Sequence, residues 1–139
     1  MIFAALRPRA DDYAALQPYI MERRGRYSEW DDKPGRGFFS AHMMDVRYVF
    51  TKHVPKPVVD RFIDDLARKR KWVKMPTWAS QSYAPPGSSG HDDHLTIFYY
   101  DDVHDGLANV NFVDMHMMSW WDKLRVLVSH GGHVPYRKA

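Results

Sequence analysis

The chain has no cysteine and no long apolar run. Without cysteine it can form neither a disulfide nor a catalytic thiolate, and the redox state of its compartment is left open. The apolar runs fall well short of the roughly 20 residues that a transmembrane helix needs. Residues Met1 to Leu6 have no basic region before them and lead directly into Arg7 and Pro8, so we expect a strand here and no signal peptide. These absences predict an intracellular protein, soluble or associated with an assembly.

The sequence motifs of several enzyme classes are also missing. The chain has no phosphate-binding P-loop, no dinucleotide-binding glycine fingerprint, no Gly-x-Ser-x-Gly nucleophile turn and no His-Glu-x-x-His zinc motif. Small catalytic domains can function without these motifs, so their absence makes an enzyme less expected without excluding one. We also expect no cofactor.

The composition is that of one globular domain. With 139 residues, 45% of them hydrophobic and 27% charged, the chain is long enough for one core and too short for two comfortable ones. Its 20 basic and 17 acidic residues give a net charge of +3, which is too balanced to indicate nucleic-acid binding. Aromatic residues are numerous at 14%, and such rings are favoured where a partner buries a surface. The aromatic excess therefore favours assembly with other proteins.

The N-terminal part of the chain predicts a helix. Asp11 or Asp12 can cap this helix, and Gly25 is suited to end it. Pro18 interrupts the helical pattern, so we expect a kink or two short helices. The arginines around Gly25 would then lie at the negative end of the helix dipole.

The later elements follow from periodicity and from the positions of glycine and proline. The clearest of them is a helix in which Phe62, Ile63 and Leu66 form an apolar stripe after Pro57. We expect, in order, a strand at 44–53, this helix at 56–71 and a short strand at 72–75. Two further strands, at 95–100 and 107–113, are joined by a hairpin turn at Asp105-Gly106. A final helix follows, which Asp114 caps and Gly131 ends.

The order of these elements predicts an α+β fold. Helices and strands interleave along the chain, but the late hairpin requires an antiparallel pair. We therefore expect one domain over residues 1–139, with a mixed or antiparallel sheet of about five strands packed against two to three helices. The segment 77–90, rich in Ser, Pro and Gly, is predicted to be a flexible loop, and residues 133–139 a C-terminal arm.

Aromatic and methionine residues form a candidate protein-binding surface. Phe38 and Phe39 follow a polar loop, while Met117, Trp120 and Trp121 lie in a segment of which only one helical face can enter the core. Thioether and indole groups suit interfaces, because thioethers adapt to a partner and indoles bury a large area. The alternative is that a neighbouring loop covers them. The main hypothesis is a non-catalytic interaction protein: an accessory or structural subunit of an assembly, with other subunits or further copies of itself as partners, or a protein inhibitor.

Histidine and aspartate cluster in two turns that flank a predicted strand. Imidazole and carboxylate groups suit zinc, manganese or iron, and a hairpin would bring the two turns together. The candidate ligands are His91, His94, His104 and Asp105, with Asp92, Asp93, Asp101 and Asp102 beside them. The spacing is not that of a helical zinc motif, and aspartate is common in turns because it binds the backbone. A bound metal is therefore an alternative to the main hypothesis.

The segment His94-Leu95-Thr96-Ile97 is similar to one half of the paired His-x-Thr signature of the two-histidine phosphoesterase superfamily. This resemblance implies action on a phosphodiester, with two such histidines on facing strands serving as general base and general acid. None of the other seven histidines is followed two residues later by Ser or Thr, so the chain carries only one half. The second hypothesis is therefore a small hydrolase, phosphodiesterase-like or metal-dependent, that uses His94, Thr96 and His104.

Basic residues support a third and weaker hypothesis, an accessory protein that binds RNA or DNA. The two groups are Arg23, Arg24 and Arg26, and Arg68, Lys69, Arg70 and Lys71. Basic side chains at these positions also complement the negative end of a helix dipole. A solvated helix end is the simpler interpretation of both groups.

Overall fold

The computed structural model describes residues 12–29, 37–76, 81–89, 92–100 and 104–133. In these residues the helices accompany one antiparallel sheet. Its six strands are β1 (Ile20–Glu29), β2 (Met43–Pro55), β3 (Val73–Lys74), β4 (Gln81–Ala84), β5 (His94–Tyr99) and β6 (Leu107–Met117), in the order β1-β2-β6-β5-β4-β3. The helices are a 3₁₀ helix (Ala14–Tyr19), α1 (Lys56–Arg70) and α2 (Trp120–Ser129). The predicted α+β single domain is confirmed, with a sheet that is antiparallel throughout.

The two faces of the sheet have different neighbours. Residues that pair across β2 and β6 lie on the same face, and the pair Val49–Phe112 packs in the main core with α1. We call this side the helix face and the opposite side the outer face. The alternate residues Tyr48 and Phe50 of β2 lie on the outer face, where their rings stack at 6.4 Å. The strand predicted at 44–53 is confirmed, with one residue more at its start and two more at its end.

The helix α1 confirms the clearest prediction from the sequence. A proline in its first turn suits helix initiation, and four apolar residues bury one side of it, namely Val59, Phe62, Ile63 and Leu66. Phe62 meets Phe112 of β6 edge to face, with ring centroids 5.2 Å apart. None of the described helices is long and apolar enough to cross a membrane.

A second, smaller core lies beneath α2 and contains Ala41, Met43, Met118 and Val126. Ser119 begins this helix through a capping box: its Oγ accepts from the Asp122 N–H at 3.2 Å, and Asp122 Oδ2 accepts from the Ser119 N–H at 3.0 Å. The prediction that Asp114 caps the last helix was wrong. The strand β6 continues through Met117, and Asp114 is a buried residue within it.

The predicted N-terminal helix ending at Gly25 was also wrong. Only Ala14–Tyr19 is helical, as a 3₁₀ helix, and β1 starts at Ile20. Pro18 lacks the N–H that an α-helix would need to continue. The residues that follow pair with β2 instead, with Gly25 opposite Arg47. Pairing with a distant strand therefore determines the conformation of this segment.

The hairpin turn between β5 and β6 is confirmed, because Asp105 and Gly106 have positive φ values of 53° and 76°. The loop predicted at 77–90 contains β4, which pairs with β5 because Tyr83 packs against the main core. The predicted strand at 2–6, the Asp11 cap and residues 134–139 of the predicted arm lie outside the described residues.

Candidate functional site

Four aromatic rings from distant parts of the chain form one continuous row, which we call the aromatic row. The centroids of Phe38 and Phe39 are 5.3 Å apart, those of Phe39 and Trp120 are 5.4 Å apart, and those of Trp120 and Trp121 are 5.1 Å apart. The first and last of these pairs meet edge to face, at interplanar angles of 83° and 88°, which is a favourable arrangement for aromatic rings. The structure therefore brings together four of the five residues that the sequence nominated for partner binding.

The backbone beneath the row is fixed by a buried lysine of α2. Lys123 is 5% exposed, and its Nζ donates to the carbonyl oxygens of Phe39 at 2.9 Å and Ala41 at 2.5 Å. Burial lowers the pKa of the Lys123 ammonium because it removes water from the charged form. These two bonds tie the segment that carries the phenylalanines to the helix that carries the tryptophans.

The aromatic row is partly open to solvent. Trp120 and Trp121 occupy the first turn of α2 and are 52% and 49% exposed, whereas Phe38 and Phe39 are half-buried. Fully burying a large apolar side chain stabilises it by about 1.5–3 kcal/mol relative to leaving it exposed. The row thus presents apolar area that a partner can remove from water.

Met117 does not belong to the aromatic row, so its predicted place on the same surface was wrong. It is the last residue of β6, pairs with Met44 of β2 and lies on the outer face, while its neighbour Met118 enters the core beneath α2. Its backbone N–H donates to Asp93 Oδ1 at 2.7 Å. The sequence had predicted Met117 to lie in a helix. In the strand β6, side chains alternate between the two faces of the sheet, so the side chain of Met117 points away from that of Met118.

His94 and His104 lie at opposite ends of the hairpin formed by β5 and β6. His94 pairs with Met115, whereas His104 sits beside the turn and pairs with Leu107. These partners are eight positions apart on β6 (115 minus 107), which corresponds to about 26 Å at roughly 3.3 Å per residue. Two histidines this far apart cannot act on one phosphodiester or share one metal ion. The prediction that they belong to one site was therefore wrong.

The polar atoms around His94 make structural contacts on the outer face. Its Nδ1 lies 2.8 Å from the carbonyl oxygen of Asp92, and Thr96 Oγ1 lies 3.2 Å from Ser82 Oγ. Asp105 adjoins His104 in the turn, away from His94. Within the described ranges, no three His, Asp or Glu side chains are grouped so that they could hold a metal ion. The other proposed ligands His91, Asp101 and Asp102 lie outside those ranges.

The predicted basic residues of β1 are divided between the two faces of the sheet. Arg23 lies on the helix face, and Arg24 and Arg26 lie on the outer face. There the guanidinium groups of Arg24 and Arg26 lie over the rings of Phe50 and Tyr48, at 4.7 and 5.6 Å from the ring centroids. The three arginines therefore do not form one basic surface, because alternate strand residues point to opposite faces.

Acidic partners neutralise most of the second basic group, at the end of α1. Lys69 and Arg70 pair with Asp12 at 2.6 and 2.9 Å, and Arg68 lies 3.6 Å from an acidic residue three positions earlier. Lys71 ends the helix in a left-handed conformation. The structure thus shows a helix end in which Arg70 is buried among carboxylates while Arg68 and Lys69 stay largely exposed, and the basic patch at these residues stays a prediction.

Sequence reasoning missed a buried polar network on the helix face. Asp114, 2% exposed, accepts hydrogen bonds from Tyr13 Oη at 2.8 Å and from Arg70 at 2.9 and 2.7 Å, and His116 lies beside it. Burial and the charge of Asp114 raise the pKa of Tyr13 well above its usual value. The signal available in the sequence was the alternation of Asp114 and His116 with apolar residues at the end of β6, but the assignment of a helix cap to Asp114 concealed it.

Comparison with protein-family models, with curated proteins and with solved structures gives no match for this chain.

Proposed function

We propose that this chain is a non-catalytic interaction protein, a small accessory or structural subunit that docks onto another protein through the aromatic row. The observation that carries the proposal is the meeting of Phe38 and Phe39 with Trp120 and Trp121 at a half-exposed surface. Tryptophan is among the residues that dominate binding energy in protein interfaces, where surrounding contacts exclude water from it. The row supplies two adjacent tryptophans, each about half exposed, whose remaining area a partner can bury.

The rigidity of the row supports the same role. Association is opposed by the entropy lost when side chains and loops become ordered in an interface. Here Lys123 already ties the segment with the phenylalanines to α2, and the rings already pack against one another. The surface is therefore preorganised, and less conformational entropy is lost when a partner binds to it.

The charge around the row favours a protein partner over a nucleic acid. The side chain of Asp122, next to the tryptophans in sequence, is engaged in the capping box, and the cation of Lys123 is buried and bound to two carbonyl oxygens. The four rings themselves are uncharged, so they do not supply the phosphate contacts on which nucleic-acid affinity depends. The expected partner is another protein subunit, and a second copy of this chain is the alternative that the experiment distinguishes.

The test compares a Trp120→Ser/Trp121→Ser double variant with wild type in affinity purification from the native source, using quantitative mass spectrometry. Phe98→Ser is the matched control, because Phe98 is a 43% exposed ring on the outer face, away from the row. We expect the double variant to lose its enriched partner by about tenfold or more and the control to retain it. Sedimentation of the isolated chain over a range of concentrations shows whether the partner is a second copy.

Two results contradict the proposal. One is a folded double variant that captures the same proteins in the same amounts as wild type. The other is equal loss of capture in the Phe98→Ser control, which would place the binding surface on the outer face or indicate nonspecific adsorption.

A further inference from the structure

A polar cleft opens on the helix face of the sheet, outside the aromatic row. Its volume is about 370 Å³. Strands β1, β2 and β6 form its floor, Tyr13 lies at one side, and His130, just after α2, lies at the other. This volume falls within the range of about 300–1,000 Å³ that is usual for small-molecule sites.

The floor of the cleft follows from the strand register. Gly25 of β1, Arg47 of β2 and Asp114 of β6 lie side by side, and Tyr27, Asp45 and His116 form the next row. Gly25 has no side chain to fill the space in front of Arg47. A Cβ added at Gly25 would meet only the Val46 carbonyl oxygen within 4 Å, at 3.9 Å. The glycine therefore leaves a recess in the floor of the cleft.

His116 of β6 borders the cleft, with its two ring nitrogens turned towards carboxylates. His116 is 6% exposed, with Nε2 2.7 Å from Asp114 Oδ1 and Nδ1 3.5 Å from Asp93 Oδ2. Neither contact has the geometry of a hydrogen bond, so both ring nitrogens are buried without an aligned partner. Both nitrogens are also closed to solvent, so the ring bounds the cleft at β6, and the donors open to a ligand come from the arginines.

The charges of the cleft favour an anionic ligand. The acceptors Asp114 and Asp45 are already engaged, the first by Arg70 and Tyr13 and the second by Arg47 Nε at 3.0 Å. A guanidinium has five N–H donors. The contacts of the described residues occupy one nitrogen of Arg47, to Asp45, and one of Arg23, to Gln17. Donors that face the cleft thus outnumber the acceptors that remain for a ligand.

We propose that this cleft binds a small organic acid, in which Arg47 and Arg23 hold a carboxylate while a flat apolar body lies between Tyr13 and Tyr27. Carboxylate matches the planar fork of arginine, which binds it through paired hydrogen bonds. The tyrosine rings supply apolar faces at the sides of the cleft. This site is independent of the aromatic row, and either can exist without the other.

The first test uses benzoate as the probe, with the isolated chain and two-dimensional amide NMR. We expect benzoate to shift resonances of β1, β2 and β6 around Gly25, Arg47 and His116 with millimolar affinity, and uncharged benzamide to bind at least about tenfold more weakly. Equal binding of the two probes would overturn the anionic assignment. Shifts confined to other parts of the protein, or no binding of benzoate at tens of millimolar, would overturn the site.

The second test fills the recess. Gly25→Val places a branched side chain in the cleft, at a position whose backbone accepts a side chain, and Val suits a strand. Ser28→Val is the matched control, because Ser28 lies on the outer face of the same strand. Benzoate affinity should fall at least about tenfold in Gly25→Val and stay unchanged in the control. Unchanged affinity in a folded Gly25→Val variant would show that the ligand lies elsewhere.

The third test removes charge. Arg47→Gln should weaken benzoate about tenfold while leaving benzamide unaffected. Arg26→Gln is its control, since Arg26 points to the outer face over Tyr48. If Arg26→Gln weakens benzoate as much as Arg47→Gln does, the effect is one of overall charge and the proposed carboxylate contact is wrong.

Discussion

Arg70 joins the last turn of α1 to β6 by holding Asp114 through two hydrogen bonds, Nη1 to Oδ1 at 2.9 Å and Nη2 to Oδ2 at 2.7 Å. The same guanidinium binds Asp12 and lies over the ring of Trp72 at 4.7 Å. Burial acts to lower the pKa of Arg70, but the hydrogen bonds that it donates to both carboxylates outweigh burial and hold the pKa above its usual value. One cation therefore links three parts of the chain, and it stays charged while doing so.

Removing this cation should destabilise the fold strongly. Arg70→Met removes the cation that binds the carboxylate of Asp114, whose side chain is 2% exposed, and one of the two cations that bind Asp12, whose side chain is 3% exposed. Breaking a buried ion pair from one side costs about 3–5 kcal/mol, because the remaining charge is left uncompensated. Urea unfolding followed by tryptophan fluorescence measures the loss. Arg68→Met, at a side chain that is 79% exposed, should change stability by less than about 0.5 kcal/mol, and equal losses at the two positions would contradict this account.

Asp12 should make stability depend on pH in the acidic range. Burial acts to raise the pKa of this carboxyl, but hydrogen bonds and charge from Lys69 and Arg70 outweigh it and lower the pKa below 3.8. A carboxyl with a lowered folded pKa contributes stability that is present above the unfolded pKa and is lost as the pH falls through the folded one. We therefore expect the difference in unfolding free energy between wild type and Asp12→Asn to be largest above about pH 4 and to shrink towards about pH 2. Urea titrations at several pH values measure it, and a difference that grows on acidification would reverse the sign and refute the argument.

The elements that the sequence predicted correctly are those with local causes. The stripe of Phe62, Ile63 and Leu66 fixes α1 from side chains within two turns of one another. The Asp105-Gly106 pair fixes the hairpin through its own backbone preference for positive φ. Exposure of Trp120 was also foreseeable, since one helix cannot bury residues on all of its sides.

The errors have causes that act between distant residues. β1 looked helical because its pairing partner, β2, lies some 20 residues further along, so Gly25 was taken for a helix end when it faces Arg47. Asp114 looked like a helix cap because nothing near it in sequence shows that Arg70 will meet it from 44 positions away. His94 and His104 looked like partners because a hairpin was expected to bring their two turns together, whereas an extended hairpin separates its ends.

The cap of α2 should contribute measurably to the stability of the aromatic row. Ser119→Ala removes the side-chain oxygen that accepts from the Asp122 N–H, and loss of such a cap typically costs about 1 kcal/mol. Ser119→Asp, which retains a capping oxygen, should recover most of that loss. Thermal unfolding by circular dichroism compares the three proteins. If Ser119→Asp is no more stable than Ser119→Ala, the hydroxyl contributes through something other than capping.

Lys123 should affect partner binding although it is buried and cannot touch a partner. Lys123→Met retains the length of the side chain but leaves the carbonyl oxygens of Phe39 and Ala41 without the donor that binds them in the wild type. Leaving buried acceptors unsatisfied costs about 1–3 kcal/mol, and here part of that free energy is lost from the link between the segment 37–41 and α2. We therefore expect lower stability and weaker capture of the partner, with amide hydrogen exchange accelerated in residues 37–41.

The control is Lys74→Met, at an exposed residue of β3, which should leave all three measurements unchanged. A contrary result would be a Lys123→Met protein that is destabilised but binds its partner as tightly as wild type does. It would show that Lys123 does not contribute to binding through the row and that preorganisation of the phenylalanines is unnecessary.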